Sequence, residues 1–241
     1  MGYLGYKPAD KPLTSADITD SIITSAKITD ATIALADLSA TGTKDATTFL
    51  RGDNTFAAVS SDYVLLATTT ASSSASVSFD GYFSSTYNNY QVILYDVFPS
   101  SSSGYLRIRL RKSNADISSS NYTFGGGGQY QHSGVASGFA YMGSGSGSNH
   151  IGTMSEDGTV STSDYAYMQK VHIYNPLATN TMKTITQEIG LIKRTSQTNY
   201  TLTIVGGSGL LYDNTNALSG IIFFMSTGNI ASGTFKLYGI K

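Results

Sequence analysis

The chain has 241 residues with 15 basic and 16 acidic side chains, a formal net charge of −1, no Cys and no Trp. The balanced charge argues against nucleic-acid binding, and the lack of Cys excludes disulfides and thiolate metal sites. Only 13% of the residues are charged, and Thr, Tyr, Val and Ile are abundant, so the composition predicts an all-β protein.

No apolar run approaches the roughly 18 residues that a membrane-spanning helix needs. The first residues also lack the basic-then-apolar pattern of a secretory leader. We therefore expect a protein that is neither inserted in a membrane nor exported by a standard leader.

The N-terminal segment, residues 13–38, carries an aliphatic residue at every fifth position. An α-helix turns by about 500° over five residues and would scatter these side chains around its surface, so no apolar stripe forms. The aliphatic positions are Leu13, Ile18, Ile23, Ile28, Ile33 and Leu38.

This spacing, with a small residue two positions before most of the aliphatic ones, resembles the pentapeptide-repeat pattern, which implies a square β-coil. About five pentads are present, and so short a coil cannot bury its own apolar face. The segment is either a flexible lead-in or a stalk that wraps with copies of itself. Burial worth roughly 1.5–3 kcal/mol per aliphatic side chain favours the stalk, and a homotrimer would let like residues meet.

A connector follows over residues 46–62. Its sequence Phe49-Leu50-Arg51-Gly52-Asp53-Asn54-Thr55, followed by Phe56, resembles a connector motif in the tail-fibre proteins of tailed bacteriophages. The repeat before it resembles the stalk of the same proteins. Arg51, Gly52 and Asp53 also spell the integrin-binding tripeptide, but Gly-Asp-Asn is typical of turns, so we predict a turn that includes Phe49, Arg51, Gly52, Asp53 and Asn54.

The larger part, residues 63–241, alternates strand-like runs with Ser, Gly and Asn clusters. This pattern predicts a β-sandwich or barrel, with a jelly roll as the first choice. The predicted strands are Tyr63–Thr70, Ala75–Phe79, Tyr90–Phe98, Tyr105–Lys112, Phe139–Met142, Tyr165–Tyr174, Met182–Leu191, Tyr200–Val205, Gly220–Met225 and Thr234–Tyr238.

Strict alternation in residues 106–111 predicts a half-buried strand with three aliphatic side chains on one face and Arg107, Arg109 and Arg111 on the other. The arginines could bind phosphate or carboxylate groups of a surface polysaccharide. The alternative is a solvated edge that discourages aggregation between sheets.

Two glycine-rich stretches, Gly125–Gly128 and Gly143–Ser148, are predicted to be mobile loops because no phosphate-loop motif follows them. Four ring side chains lie between them: Tyr130, His132, Phe139 and Tyr141. They could stack on sugar rings, or they could fold back onto the sheet.

Catalysis is not expected. The three His residues have no metal-ligand spacing, no nucleophile motif is present, and Glu156 and Asp157 are adjacent in a turn sequence. His172 is expected to lie on a strand face with Lys170 and Tyr174. A polysaccharide depolymerase would need distant carboxylates to converge, so we expect no catalytic residues, no metal and no cofactor.

Together the residues and the resemblance predict a virion tail-fibre subunit that acts as a homotrimer. Residues 1–45 would trimerise and attach to another virion protein, residues 46–62 would connect, and residues 63–241 would form a head that contacts host polysaccharide. The alternatives are a capsid-mounted fibre or decoration protein, an adaptor that carries another receptor-binding fibre, and a secreted lectin.

Overall fold

The computed structural model describes scattered positions from 14 to 37 and residues 39–101, 104–132, 138–152, 167–194, 200–212 and 215–241. Within them, only the backbone is described for residues 130–132, 138–144, 167, 191–194 and 200–205. The chain divides into two compact units, Met1–Ser60 and Ser61–Lys241. The regular structure in the described part consists of strands without an α-helix, which confirms the all-β prediction.

In the first unit, the five-residue spacing reappears in the backbone. The Thr32 N–H donates to the Thr29 carbonyl (3.1 Å), and the Asp37 N–H donates to the Ala34 carbonyl (2.9 Å). The two turns are thus five residues apart, and each begins directly after a spaced isoleucine.

The first unit also contains a short hairpin of strands β1 (Thr48–Leu50) and β2 (Phe56–Ala58). Thr41 runs beside it, since its carbonyl accepts the Phe56 N–H at 2.7 Å. Gly42 has φ +92°, and a Cβ there would lie 2.2 Å from the Phe56 carbonyl oxygen. A side chain at position 42 would therefore separate this segment from the hairpin.

The second unit contains thirteen described strands. They are β3 (Tyr63–Ser74), β4 (Ser76–Asp80), β5 (Asn89–Pro99), β6 (Leu106–Lys112), β7 (Ala115–Asp116), β8 (Tyr122–His132), β9 (Gly138–Ser148), β10 (Ile151–Gly152), β11 (Tyr167–Tyr174), β12 (Lys183–Arg194), β13 (Tyr200–Leu211), β14 (Gly220–Met225) and β15 (Ile230–Ile240).

These strands form two antiparallel sheets. The larger sheet has the order β3-β15-β5-β11-β12-β13-β8-β9, and the smaller has the order β10-β6-β14-β4 with β7 paired to β6. Four of the pairings are nested: β3 with β15, β4 with β14, β5 with β11, and β6 with β10. The pairs β8–β9 and β12–β13 extend the larger sheet beyond β11.

One hydrophobic core joins the buried faces of both sheets. Leu106, Ile108 and Leu110 of the smaller sheet are fully buried, and Phe223 of that sheet packs against Phe235 of the larger one with ring centroids 5.4 Å apart. Each such aliphatic side chain contributes roughly 1.5–3 kcal/mol on burial. The second unit is therefore β-sandwich-like, as predicted.

All ten strands that the sequence predicts in this part are present. Gly220–Met225 has the predicted bounds, and each of the others has at least one shifted end. The prediction of loops at the glycine-rich stretches is wrong: Gly125–Gly128 lies inside β8, and Gly143–Ser148 is the second half of β9. Gly126 explains part of this, because a Cβ there would lie 2.3 Å from the Gly206 carbonyl oxygen on the paired strand β13. Close approach of two backbones requires glycine at this position in the sheet.

The first and last strands of the second unit are neighbours. Strand β15 pairs with β3 along most of its length, and the backbone N–H of Lys241 donates to the Asp62 carbonyl at 3.0 Å. The point where the chain enters this unit therefore lies beside its last residue.

Candidate ligand-binding face

The described residues of the predicted trimerisation series are exposed to solvent in the single chain. Ile18, Ile23, Ile28 and Ile33 are 44%, 56%, 39% and 58% exposed. Leu13 and Leu38 lie outside the described residues. The four isoleucines thus have apolar surface available for contact with another molecule.

The predicted connector turn links β1 to β2. The Asn54 N–H donates to the Arg51 carbonyl (3.0 Å), and Asn54 has φ +60°. The Asp53 carboxylate accepts hydrogen bonds from the Thr55 hydroxyl and N–H, and the hydroxyl bond lowers the pKa of Asp53. Asp53 therefore closes its own turn, while Phe49 is 60% exposed and a Cβ on Gly52 would meet open space.

The three arginines lie on β6, which is an interior strand between β10 and β14. The prediction of a solvated edge is therefore wrong, because the edges of this sheet are β4 and β10. Arg111 forms ion pairs with Asp80 and Asp116, and Arg109 lies over the Phe224 ring at 4.5 Å and donates to the Asn149 carbonyl. Arg107 also has a partner.

The four predicted ring side chains belong to paired strands rather than to loops. Tyr130 and His132 lie on β8, and Phe139 and Tyr141 lie on β9, where they pair with Gln129 and Gly127. Their side chains are outside the described part of the structure, so their proposed ligand contacts remain predictions. Glu156 and Asp157 also lie outside the described residues.

A groove of about 570 Å³ crosses the outer face of the larger sheet, the face turned away from the core. Strands β5, β11, β12 and β13 contribute to it. The groove is lined on this face by the side chains of Ile93, Tyr95, Met168, Lys170 and Glu188, together with Gly190 and Gly206. Pairing places Lys170 opposite both Ile93 and Glu188, and Gly206 on the far side of Glu188.

Charged groups lie around this groove. Lys170 Nζ is 3.3 Å from Glu188 Oε2, and their side chains are 54% and 76% exposed. Lys236 lies on β15 opposite Ile93 of β5. Its ammonium group is 5.6 Å from the centre of the Tyr95 ring. Because the Lys170–Glu188 pair is well solvated, it is weak and can exchange partners at little cost.

The next row of side chains on the same face is aromatic and polar. Tyr63 stacks on Tyr238 with centroids 4.6 Å apart, and the Tyr63 hydroxyl donates to Gln91. His172 stacks on Tyr174 at 4.4 Å, on the strand face that the sequence predicts. Partial burial lowers the pKa of His172, with Glu188 opposing the shift.

The sequence does not single out the residues of this groove. They come from four strands whose register depends on pairing, which no short motif encodes. One local signal exists, since Gly190 interrupts one run of β-forming residues and Gly206 ends another, and glycine inside a strand often marks a close approach to the backbone.

The described residues contain no group of three or more His, Asp or Glu side chains placed to hold a metal ion. The described part contains no helix long and apolar enough to cross a membrane. Comparisons with protein-family models, with curated proteins and with solved structures find no match to this chain.

Proposed function

We propose that the chain is a non-enzymatic fibre subunit of a tailed bacteriophage, built as a homotrimer. The first unit would trimerise and attach to another virion protein, and the second would be an outward-facing head. The resemblance of residues 13–57 to tail-fibre stalks and connectors supports this proposal, as do the separate compact units.

The observation that carries the proposal is the exposure of the spaced isoleucines. Ile18, Ile23, Ile28 and Ile33 each leave 39–58% of their surface uncovered in a single chain. Scattered exposed aliphatics are ordinary on protein surfaces, but a periodic series indicates an interaction surface. Three identical chains around one axis would bring equivalent isoleucines together.

We also propose that the head is a jelly roll. Its support is the nested pairing of β3 with β15, β4 with β14, β5 with β11 and β6 with β10. A jelly roll has this order because a long antiparallel ribbon folds over into two sheets. Strands β8, β9, β12 and β13 would then be insertions that widen one sheet.

The mass of the intact protein in solution tests the proposal. Light scattering after size-exclusion chromatography should give three times the chain mass for the wild type. A variant with I18S, I23S, I28S and I33S should give a single chain mass, because serine removes the shared apolar surface. A control with T24S and T29S, in the same segment but outside the aliphatic row, should remain trimeric.

A monomeric wild type, or a quadruple variant with unchanged mass, would contradict the stalk. In the second case the contacts between chains would lie in the head. Electron microscopy of virions labelled with an antibody to the head would then distinguish a tail position from a capsid position.

A further inference from the structure

We propose that the groove on the outer face of the larger sheet is a carbohydrate-binding site that holds a saccharide ring over Gly190 and Gly206. This inference deepens the proposed function, since an outward-facing head would meet polysaccharide on the host surface. Its residues differ from the arginines and ring side chains that the sequence suggests as ligand contacts.

Among the described residues, nothing in the fold requires glycine at these two positions. The nearest described atoms to a Cβ on Gly190, and to one on Gly206, lie 3.9 Å away. Neither residue has a φ in the left-handed region. Glycine inside a strand costs roughly 0.5–1 kcal/mol relative to alanine, so both positions lose stability without relieving a clash with a described residue.

Other strand glycines in the same sheet differ in this respect. A Cβ on Gly209 would lie 2.7 Å from the Ile151 side chain, and one on Gly239 would lie 2.6 Å from the Tyr87 ring. Internal packing explains those two glycines. No described residue packs closely on Gly190 or Gly206, and glycine inside a strand often marks a place where another group approaches the backbone.

The groove combines exposed backbone with apolar side chains. Its floor includes the backbone of Gly190 on β12 and Gly206 on β13, and Ile93, Tyr95 and Met168 supply aliphatic and aromatic surface. A volume of about 570 Å³ falls within the roughly 300–1,000 Å³ of small-molecule sites. A flat ring with C–H groups on its face fits such a floor, and a bulky or branched group does not.

Charged side chains form the rim of the groove. Lys170, Glu188 and Lys236 place ammonium and carboxylate groups beside the apolar floor. A saccharide ring needs this combination, because its hydroxyl groups extend from the ring edge and form hydrogen bonds while its face packs on apolar surface. A purely apolar partner would remove water from these charged groups without offering them hydrogen bonds.

The neighbouring row extends the same chemistry across the sheet. Gln91, His172 and Thr186 are successive cross-strand neighbours beside the groove, and Tyr238 lies next to Gln91. These hydroxyl, amide and aromatic groups would contact further sugar units. The occupant is therefore an oligosaccharide rather than a single sugar.

Filling the groove tests the proposal. G190V and G206V each introduce a side chain into open space at a strand position where a β-branched residue is favourable. The full-length protein would be applied to an array of neutral and uronate-containing bacterial oligosaccharides. We expect the wild type to bind members of the array, and both variants to lose at least tenfold in affinity with an unchanged or raised melting temperature.

The control is T70V, on the same sheet face but on strand β3, which should bind like the wild type. Wild-type protein that binds no oligosaccharide, or G206V protein that binds as tightly as the wild type, would overturn the site. A G206V variant whose mass in solution falls while saccharide binding is absent would identify a second copy as the occupant. The serine variants of the stalk should still bind the array, with lower avidity, so failure of the trimer and failure of the groove give different results.

Discussion

At the scale of single residues, glycines with and without an internal neighbour should respond oppositely to the same substitution. G239A places a methyl group against the Tyr87 ring at 2.6 Å and should cost about 1–3 kcal/mol through overpacking. G190A enters open space and should stabilise the fold by about 0.5–1 kcal/mol.

Urea unfolding of the two alanine variants against the wild type measures both changes. Equal effects of the same sign would show that the space around these glycines does not determine their cost.

His150 should make stability depend on pH. Burial, followed by the nearby Arg107 and Arg109, lowers the pKa of His150 to about 4. The ring is in contact with the Phe124 side chain, and its Nδ1 lies 2.7 Å from the Asn149 amide oxygen. The unfolded chain, with a His pKa near 6.5, therefore takes up a proton at higher pH than the folded chain does.

The neutral ring thus contributes its full stability above about pH 6.5, and this contribution falls as the pH drops towards 4. Between these values the melting temperature of the wild type should fall more steeply than that of H150Q. The difference between the two melting temperatures at each pH excludes the effect of the carboxylates, which both proteins share. Melting temperatures that fall in parallel from pH 7 to 4 would contradict the lowered pKa of His150.

At the scale of strands, Arg111 joins three elements of the smaller sheet. From β6 it forms ion pairs with Asp80 at the end of β4 and with Asp116 in β7. R111M leaves both carboxylates without this partner, and we expect a loss of about 1–3 kcal/mol. This is below the ~3–5 kcal/mol of a fully buried pair, because Asp80 and Asp116 are 24% and 31% exposed.

Thermal unfolding in low salt measures this loss, with K112M on the exposed end of the same strand as the control. An R111M variant as stable as K112M would show that the carboxylates are fully solvated without the arginine.

The same strand shows how far the sequence predicts the elements. Alternation in residues 106–111 predicts the buried aliphatic face correctly, because side-chain direction in a strand follows from position alone. It does not predict that β6 is interior, since its strand neighbours come from far along the chain: Gly220 pairs with Arg111 and Ile151 pairs with Ile108. The groove is missed for the same reason: pairing assembles it from four strands.

Glycine-rich strands limit the prediction in another way. Gly125–Gly128 has the composition of a loop, yet it pairs along β13 as part of β8. Here the pairing of backbones outweighs the low strand propensity of glycine. The size of the larger sheet therefore could not be derived from residue preferences alone.

At the scale of the whole molecule, the second unit should fold by itself. The described residues that are buried in the hydrophobic core lie between Ala71 and Leu237, inside the unit Ser61–Lys241. A protein of residues 61–241 should unfold in one cooperative transition at the temperature of the head in the full chain, without dependence on protein concentration.

Differential scanning calorimetry at two protein concentrations measures the melting temperature and the number of transitions. A head that melts at much lower temperature when separated would show that the first unit contributes to its stability.

The pairing of β3 with β15 also determines where a peptide fused to the chain would lie. Because Lys241 is hydrogen-bonded to Asp62, a peptide fused after Lys241 would emerge beside the point where the chain enters the head. Joining these neighbouring ends with a short linker and opening the polypeptide at another surface loop would give a circularly permuted head. Such a permutant could present its fusion partner on whichever side the new ends are placed.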